Sequence, residues 1–304
     1  MQLATRLAAA YDEAWAWGLI RALAERARAG VALTARAGFD WQPSELLSEV
    51  AVERAQLVIE PDADPCFQTA ARLTPSVRQL LELYLPLCVG ASANALVLGH
   101  VGQSLDGQIA TASGSSRYVT GPENIVHMHR LRSLFDAVLV GAGTVEADDP
   151  ELTTRLVPGA HPTRVVLDPS LRLSGQKKLF RDGIAPTVIV CAQGAAHGAA
   201  PAHVPRLEVD TEHGVLSVPS LLAALAVRGL RRVFVEGGGI TISHFIRARR
   251  LDRLHVTVCP IIIGQGRPGL CLPGVERLEQ ALRPKARRFT LGEDVLFDCS
   301  FASR

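Results

Sequence analysis

Between Asn94 and Arg304 the chain repeatedly carries short, unbroken apolar runs: DAVLVG at Asp136–Gly141, RVVLD at Arg164–Asp168, TVIVC at Thr187–Cys191 and RVFVE at Arg232–Glu236. A strand with one wet face alternates polar and apolar residues. A run without alternation is covered on both faces, which is the condition of a strand inside a parallel sheet. Helical stretches separate these runs, at Pro122–Phe135, Leu216–Arg228 and Ile240–Arg250. For the first, Thr120 stands at the expected N-cap, with Pro122 and Glu123 in the first turn. ALVLGHVGQSLDG reads as a long first strand entering a polar turn, and Leu254–Ile263 and Arg288–Phe297 as closing strands. Strands alternating with helices predict an α/β fold, a mostly parallel central sheet flanked by helices with right-handed crossovers. Ligands in such sheets gather beyond the carboxyl ends of the strands.

The first ninety residues follow another pattern. Leu3, Leu7, Tyr11, Trp15, Leu19 and Leu23 recur at helical spacing up to a stop at Gly30, and all three tryptophans (Trp15, Trp17, Trp41) lie here. Gln56–Glu60 predicts a short strand and Ser76–Leu85 a second helix stopped by Pro86. The chain thus divides into a small, mainly helical extension over 1–90 and a catalytic-sized α/β domain over 94–304. The formal net charge of +2 argues against a general nucleic-acid or membrane surface. The six cysteines form no C-x-x-C pair, which removes the usual zinc and redox patterns and leaves no metal site expected. The N-terminus lacks the apolar core of a signal peptide, so a cytoplasmic location is expected.

Three stretches carry possible chemistry. In VFVEGGGITISH a buried strand ends at Glu236, three glycines follow, and a helix begins at once. Glycines admit close approach to the backbone, and the free N–H groups of a helix start suit a phosphate, with Thr241 and Ser243 as further donors. A plain tight turn is the alternative, which three consecutive glycines behind a buried strand make less economical. The spacing is not that of the dinucleotide fingerprint G-x-G-x-x-G. A second turn, Gly141-Ala142-Gly143-Thr144, is followed by Glu146, Asp148 and Asp149, acids suited to ribose hydroxyls or proton transfer, or equally to a solvated loop. The third is Gly102–Gly107 with the hydroxyl-rich Thr111–Tyr118 beside it, where Arg117 suits a phosphorylated ligand; a flexible surface loop is the alternative. Arg130, Arg132 and Arg155 are further phosphate-compatible cations, though helical spacing lets at most one of the first two point at a site. His127 and His129 lack metal-ligand spacing and read as surface or packing residues.

Taken together, GQSLDGQIATASGSSRYVTGPE, HRLRSLFDAVLVGAGTVEADDPELTTR, RVVLDPSLRL, FVEGGGITISHFI and LDRLHVTVCPIIIGQGRPGL resemble the reductase domain of the RibD family of riboflavin biosynthesis across residues 94–304. The resemblance implies a dihydrofolate-reductase-like fold and reduction by NADPH at the ribosyl C1′ of 5-amino-6-(5-phosphoribosylamino)uracil or its undeaminated diaminopyrimidine analogue. It implies that Gly102, Tyr118, Thr144, Asp148 and the run Gly237, Gly238, Gly239, Ile240, Thr241, Ile242, Ser243 and His244 hold NADPH, with the pyrophosphate on the glycine turn. Ser116, Arg132, Leu152, Arg155 and Glu236 would line the substrate pocket, the two arginines gripping the 5′-phosphate. Glu236, Asp148 and His100 are the residues put forward for the chemistry itself. Family members of this kind imply a homodimer, and the apolar closing strands are suitable for pairing with a second chain.

Two departures stand out. Bifunctional members carry an N-terminal zinc deaminase with H-x-E and P-C-x-x-C, and here Pro65-Cys66 stands alone, so no deamination is expected. His100 occupies a place where many members have Lys or Asn, and Pro169 one where Ser is frequent. These leave open a related reductase acting on a dihydropterin or a natural-product intermediate, and a catalytically silent NADPH-binding module.

Overall fold

In a computed structural model the described residues are 12–40, 48–55, 57–116, 119–196 and 198–301, and the chain divides into two compact units, Met1–Leu96 and Val97–Arg304. In the first unit, helix α1 (Glu13–Arg28) starts where the Asp12 side chain accepts the Trp15 N–H at 2.8 Å. It buries Trp15, Trp17, Leu19, Ile20 and Leu23, so the tryptophans on it are core residues. Leu3, Leu7 and Tyr11 of the expected stripe, and Trp41, lie outside the described residues. Gly30, with φ of 77°, ends α1 in a Schellman turn, Val31 N–H reaching the Arg26 carbonyl at 3.0 Å. Helix α2 (Pro75–Tyr84) is capped by Thr74 and continues through Pro86 as a short 3-10 turn, Leu85–Leu87. The extension is less helical than expected. Strands β1 (Ala37–Asp40), β2 (Ser48–Val50), β3 (Leu57–Ile59) and β4 (Phe67–Thr69) form an antiparallel sheet in the order β2-β1-β3-β4. Only β3 was foreshadowed, because three or four residues are too few to display an alternation; Gln56 at its edge is outside the described residues.

The second unit follows the predicted α/β plan. Its elements are β5 (Leu96–Gln103), β6 (Gln108–Thr111), α3 (Pro122–Leu134), β7 (Ala137–Gly141), α4 (Ala142–Asp148), β8 (Thr163–Leu167), α5 (Lys178–Arg181), β9 (Thr187–Ala192), β10 (Arg206–Val209), the small pair β11 (Thr211–Glu212) and β12 (Val215–Leu216), α6 (Val218–Val227), β13 (Arg232–Glu236), α7 (Gly239–Arg247), β14 (Arg253–Val258), β15 (Gly266–Pro268), β16 (Lys285–Leu291) and β17 (Asp294–Ser300). The main sheet has the order β10-β9-β8-β7-β13-β5-β14-β17-β16. Neighbours from β10 to β13, and β5 with β14, pair parallel, while β14–β17 and β17–β16 are antiparallel. Leu139, Val165, Val190, Val233 and Val235 from the apolar runs are buried together with Leu221, Leu225, Ile242 and Phe245 of α6 and α7. Each such side chain contributes about 1.5–3 kcal/mol on burial. No helix among the described residues is long and apolar enough to cross a membrane.

Three local expectations need correction. The N-cap of α3 is Gly121, not Thr120. The Thr120 hydroxyl accepts from Asn124 Nδ2 at 2.9 Å, and Asp294 accepts the Gly121 N–H at 2.7 Å. The strand expected over Leu254–Ile263 stops at Val258, just before Pro260, which has no N–H for a ladder. Arg288–Phe297 is two strands, folded back at Gly292, whose φ of 62° suits the turn between β16 and β17.

Candidate functional site

The chain leaves β5, builds β7, β8, β9 and β10 outward, then returns to insert β13 between β7 and β5. This reversal leaves a crevice at the carboxyl ends of β5, β7 and β13, the place where open α/β sheets bind ligands. Gly102, Gly141 and Glu236, from those three strand ends, line one cavity of about 760 Å³. Ser116, Thr144, Asp148, Leu152, Arg132, Arg155, His100 and the segment Glu236–Thr241 line it too. Residues read as separate clues from three stretches thus share one wall.

The three glycines do different things. Gly237 has φ of 113°, a conformation a side chain would strain. A Cβ on Gly239 would run into the backbone carbonyls of Gly269 and Pro268, so this glycine lets α7 pack against the chain around β15. Only Gly238, the N-cap of α7, is open: a Cβ there would find its nearest neighbour, Thr144 Oγ1, at 3.9 Å. The unpaired N–H groups at the start of α7 make this open corner a suitable cradle for a phosphate. Ile240 and Thr241 also line the cavity, but Ile242, Ser243 and His244 do not. The helix turns Ile242 and Ser243 into the interior, and the Ser243 hydroxyl accepts the Cys271 N–H at 2.7 Å. The expected row of contacts therefore ends at Thr241 as far as side chains go.

Arg132 is committed to the protein. Its Nε and Nη2 donate to the two oxygens of Glu236 at 2.8 and 2.5 Å, and Nη1 donates to the Thr153 carbonyl at 3.2 Å. Burial alone would favour loss of the guanidinium proton, but the charge and hydrogen bonds of Glu236 outweigh it and hold the group above its ordinary range. The fork expected to grip a phosphate is already occupied by a carboxylate. Arg155 is more open; its Nη1 donates to Glu151 and Thr153, and its backbone N–H to His129 Nδ1 at 3.0 Å. Leu152 is buried with φ of 54°, a left-handed conformation held by its surroundings.

Of the acids after the second glycine turn only Asp148 reaches the cavity, with Ser116 Oγ 3.5 Å from its carboxylate. Glu146 pairs with Lys177, and Asp149 accepts the Lys178 N–H at 2.9 Å. In the third stretch, Gly102 faces the methyl of Thr120 closely enough that a Cβ would clash at 2.6 Å. Asp106 lies away from the cavity and accepts from Ser104, Ile263 and Gly264, tying two loops together. These hydrogen bonds hold its carboxyl below the ordinary range. The S-L-D-G motif is thus a structural clamp. Tyr118 and Arg117 lie outside the described residues.

His100 forms part of the cavity wall, its Nε2 near Asn124 Oδ1 (3.0 Å) and Thr257 Oγ1 (3.1 Å). Burial, followed by the nearby His255, pushes its pKa down to about 3, so the ring is neutral. Behind it lies a set the sequence did not reveal. His127 and His129 are buried, not superficial, and His127 Nε2 meets His255 Nδ1 at 3.0 Å. His255 Nε2 is 3.3 Å from Asp298 Oδ1, in ion-pair range but off the line of a well-formed hydrogen bond. Asp298 is instead bound by Arg253, at 3.0 and 2.6 Å, and by Arg287 at 2.8 Å. Burial opposes its ionisation, but His255 and Arg253 prevail and keep the carboxyl well below the ordinary range. No sequence pattern announces this network, because β14, β17 and α3 meet only in the fold.

A pH dependence follows. Burial foremost lowers the pKa of both His100 and His127 in the folded chain. The unfolded chain, with histidines near 6.5, takes up these protons first as pH falls. Their contribution is therefore complete above about pH 6.5 and is lost below it, at up to about 1.4 kcal/mol per pH unit for each histidine. Thermal denaturation should show a plateau above neutrality and a steep fall between about pH 6.5 and 4, flattened in His127→Gln. A Tm insensitive to pH in that range would contradict this account.

Further cavity residues the sequence did not single out are Asn124, Met128, Arg267 and Cys271. Asn124 and Met128 lie on the inward face of α3 with His129 and Arg132, a pattern visible only once the helix is docked.

An α/β sheet with a phosphate-compatible helix start at its switch point is the layout of an α/β enzyme with its ligand crevice at the carboxyl ends of the strands. Residues 95–297 match the RibD C-terminal domain, and the chain belongs to that family. It is 35% identical over 214 residues to the 2,5-diamino-6-ribosylamino-4(3H)-pyrimidinone 5′-phosphate reductase of Methanothermobacter thermautotrophicus, covering 66% of this chain and 96% of that one. It is 30% identical to the riboflavin biosynthesis protein RibD of Aquifex aeolicus, over 84% of this chain and 69% of that one. Among solved structures, the deaminase/5-amino-6-(5-phosphoribosylamino)uracil reductase of Thermotoga maritima superposes with a TM-score of 0.58 at 27% identity, covering 74% of this chain. The chain spans only 61% of that longer protein. The relatives are named as reductases, and the chain is of oxidoreductase type.

Proposed function

We propose that the second unit is an NADPH-dependent reductase of a phosphorylated ribosylaminopyrimidine in riboflavin biosynthesis. The observation that carries this is the convergence, in one cavity, of the open Gly238 corner with the Arg132–Glu236 pair and Arg155. The residues fit a dinucleotide: a helix start for the pyrophosphate, with Thr144, Asp148 and the edge of Gly102 nearby for its sugar and nicotinamide. NADPH, when bound, would supply a hydride to C1′ of the ribosylamine, with cleavage of the C1′–O4′ bond and one proton taken up by the ring oxygen to give the ribityl chain.

The chain's own residues position the reactants. Glu236 is held at a fixed angle by Arg132 and offers carboxylate acceptors to the pyrimidine or ribose. Arg155, Ser116 and Leu152 line the substrate end, where Arg155 takes the larger share of the 5′-phosphate because Arg132 is engaged. His100 meets the ligand as a neutral hydrogen-bonding group, unlike a lysine in its place. Catalysis of this kind is chiefly orientation in a pocket that limits water. The name of the Methanothermobacter thermautotrophicus relative, which is matched over 96% of its length, supports the undeaminated diaminopyrimidine phosphate as the substrate here. Loss of reduced-nicotinamide absorbance should follow addition of one of these two substrates to the purified protein. Absence of turnover with both would overturn the proposal, and turnover of a dihydropterin in their stead would select another substrate class.

A further inference from the structure

Three arginines line the cavity, and they are not equivalent. Arg132 is spent on Glu236 and the Thr153 carbonyl, and Arg155 shares Nη1 between Glu151 and Thr153. Arg267 is exposed on β15, and its side chain makes no hydrogen bond and no ion pair among the described residues. Its guanidinium lies over Gly114, where a Cβ would stand 2.8 Å from Nη2. On the other side of the same short strand, the Pro268 and Gly269 carbonyls close against Gly239 at the start of α7. β15 is held there by pairing with β6, Arg267 opposite Ala110.

The strand thus holds an uncommitted cation over Gly114 on the wall of the same cavity that the open Gly238 corner lines. Neither carboxylate on this wall forms an ion pair with it: Glu236 is paired with Arg132, and among the described residues Asp148 makes no salt bridge to Arg267. A planar guanidinium with free donors suits one ligand chemistry above others, the bidentate recognition of a phosphate.

We infer that Arg267 is an anion anchor of this cavity and binds a phosphate group of the nucleotide or of the phosphorylated substrate. The assignment rests on the reading of the cavity as a nucleotide and phosphosugar site. Titration calorimetry on the full chain tests it with three probes: ADP-ribose, adenosine 2′,5′-bisphosphate and ribose 5-phosphate. Arg267→Ala is expected to weaken one of them by roughly 10- to 100-fold, and Arg267→Lys to recover part of the loss. The probe affected identifies the source as pyrophosphate, 2′-phosphate or substrate phosphate. The melting temperature should stay at the wild-type value, since the side chain bonds to no described protein group. Wild-type affinity of Arg267→Ala for all three probes would overturn the anchor and leave the proposed function standing. A wild-type protein that binds none of the three would overturn the reading of the cavity itself, and the anchor with it.

Discussion

Glu236→Ala is expected to lower kcat/KM about 100-fold or more and to destabilise the second unit at the same time. The carboxylate is fastened to Arg132 through both oxygens, and the two side chains are only 14% and 11% exposed. Removing the acid leaves a guanidinium in a mostly closed wall with one carbonyl partner. Breaking a fully buried pair in this way costs about 3–5 kcal/mol, and the residual exposure here reduces that to about 2–3 kcal/mol. The kinetic loss has a separate origin: a ligand group that met a fixed acceptor now meets a gap, and small misplacements cost large factors in rate. Glu236→Gln separates the two effects. It keeps the shape and one acceptor, so urea denaturation should report a smaller loss than for Ala, while activity still falls because the amide places a donor against Arg132. Wild-type kinetics in Glu236→Ala would remove this residue from the site.

The second large effect distinguishes neighbouring glycines. Gly238→Asp should reduce NADPH affinity about 100-fold or more with little change in stability. Its φ of −38° is negative, and the nearest obstacle to a Cβ is 3.9 Å away, so the fold accommodates a side chain. That side chain fills the corner proposed for the pyrophosphate and adds a like charge to it. Gly239→Ala should do the reverse in order of cause. Its methyl meets the Gly269 and Pro268 carbonyls, neither of which is the end of a flexible side chain. Overpacking of this sort costs about 1–3 kcal/mol. Fluorescence titration with NADPH, together with thermal denaturation, reads both. Equal behaviour of the two variants would mean that the turn has no separate ligand-facing and packing positions.

Much of this architecture is written in local patterns. The unbroken runs ending at Gly141 and Glu236 read as strands covered on both faces, and the glycines between such a strand and a helix mark the strand end. The order of these segments places the ligand crevice at the carboxyl ends of the strands, while Gly102, Thr144, Asp148 and Glu236, which line the cavity, are singled out by the resemblance to the RibD family rather than by spacing. Short-range signals failed where partners are far apart in the chain. Arg132 reads as a free cation on a helix, yet the carboxylate that occupies its fork is 104 residues away. His127 reads as a packing residue, and its partner His255 is 128 residues away. The extension's strands are too short to show a period, and the close packing of Gly239 against the Pro268 and Gly269 carbonyls, on a residue that also lines the cavity, exists only in the fold. The sequence by itself determined the layered sheet, the switch-point cavity and the residue types on its wall, because hydrophobic period and turn chemistry act within a few residues of each other. Only the tertiary structure decided which charges are spent and which are free, because pairing is a matter of distance in space, which packing sets and spacing along the chain does not.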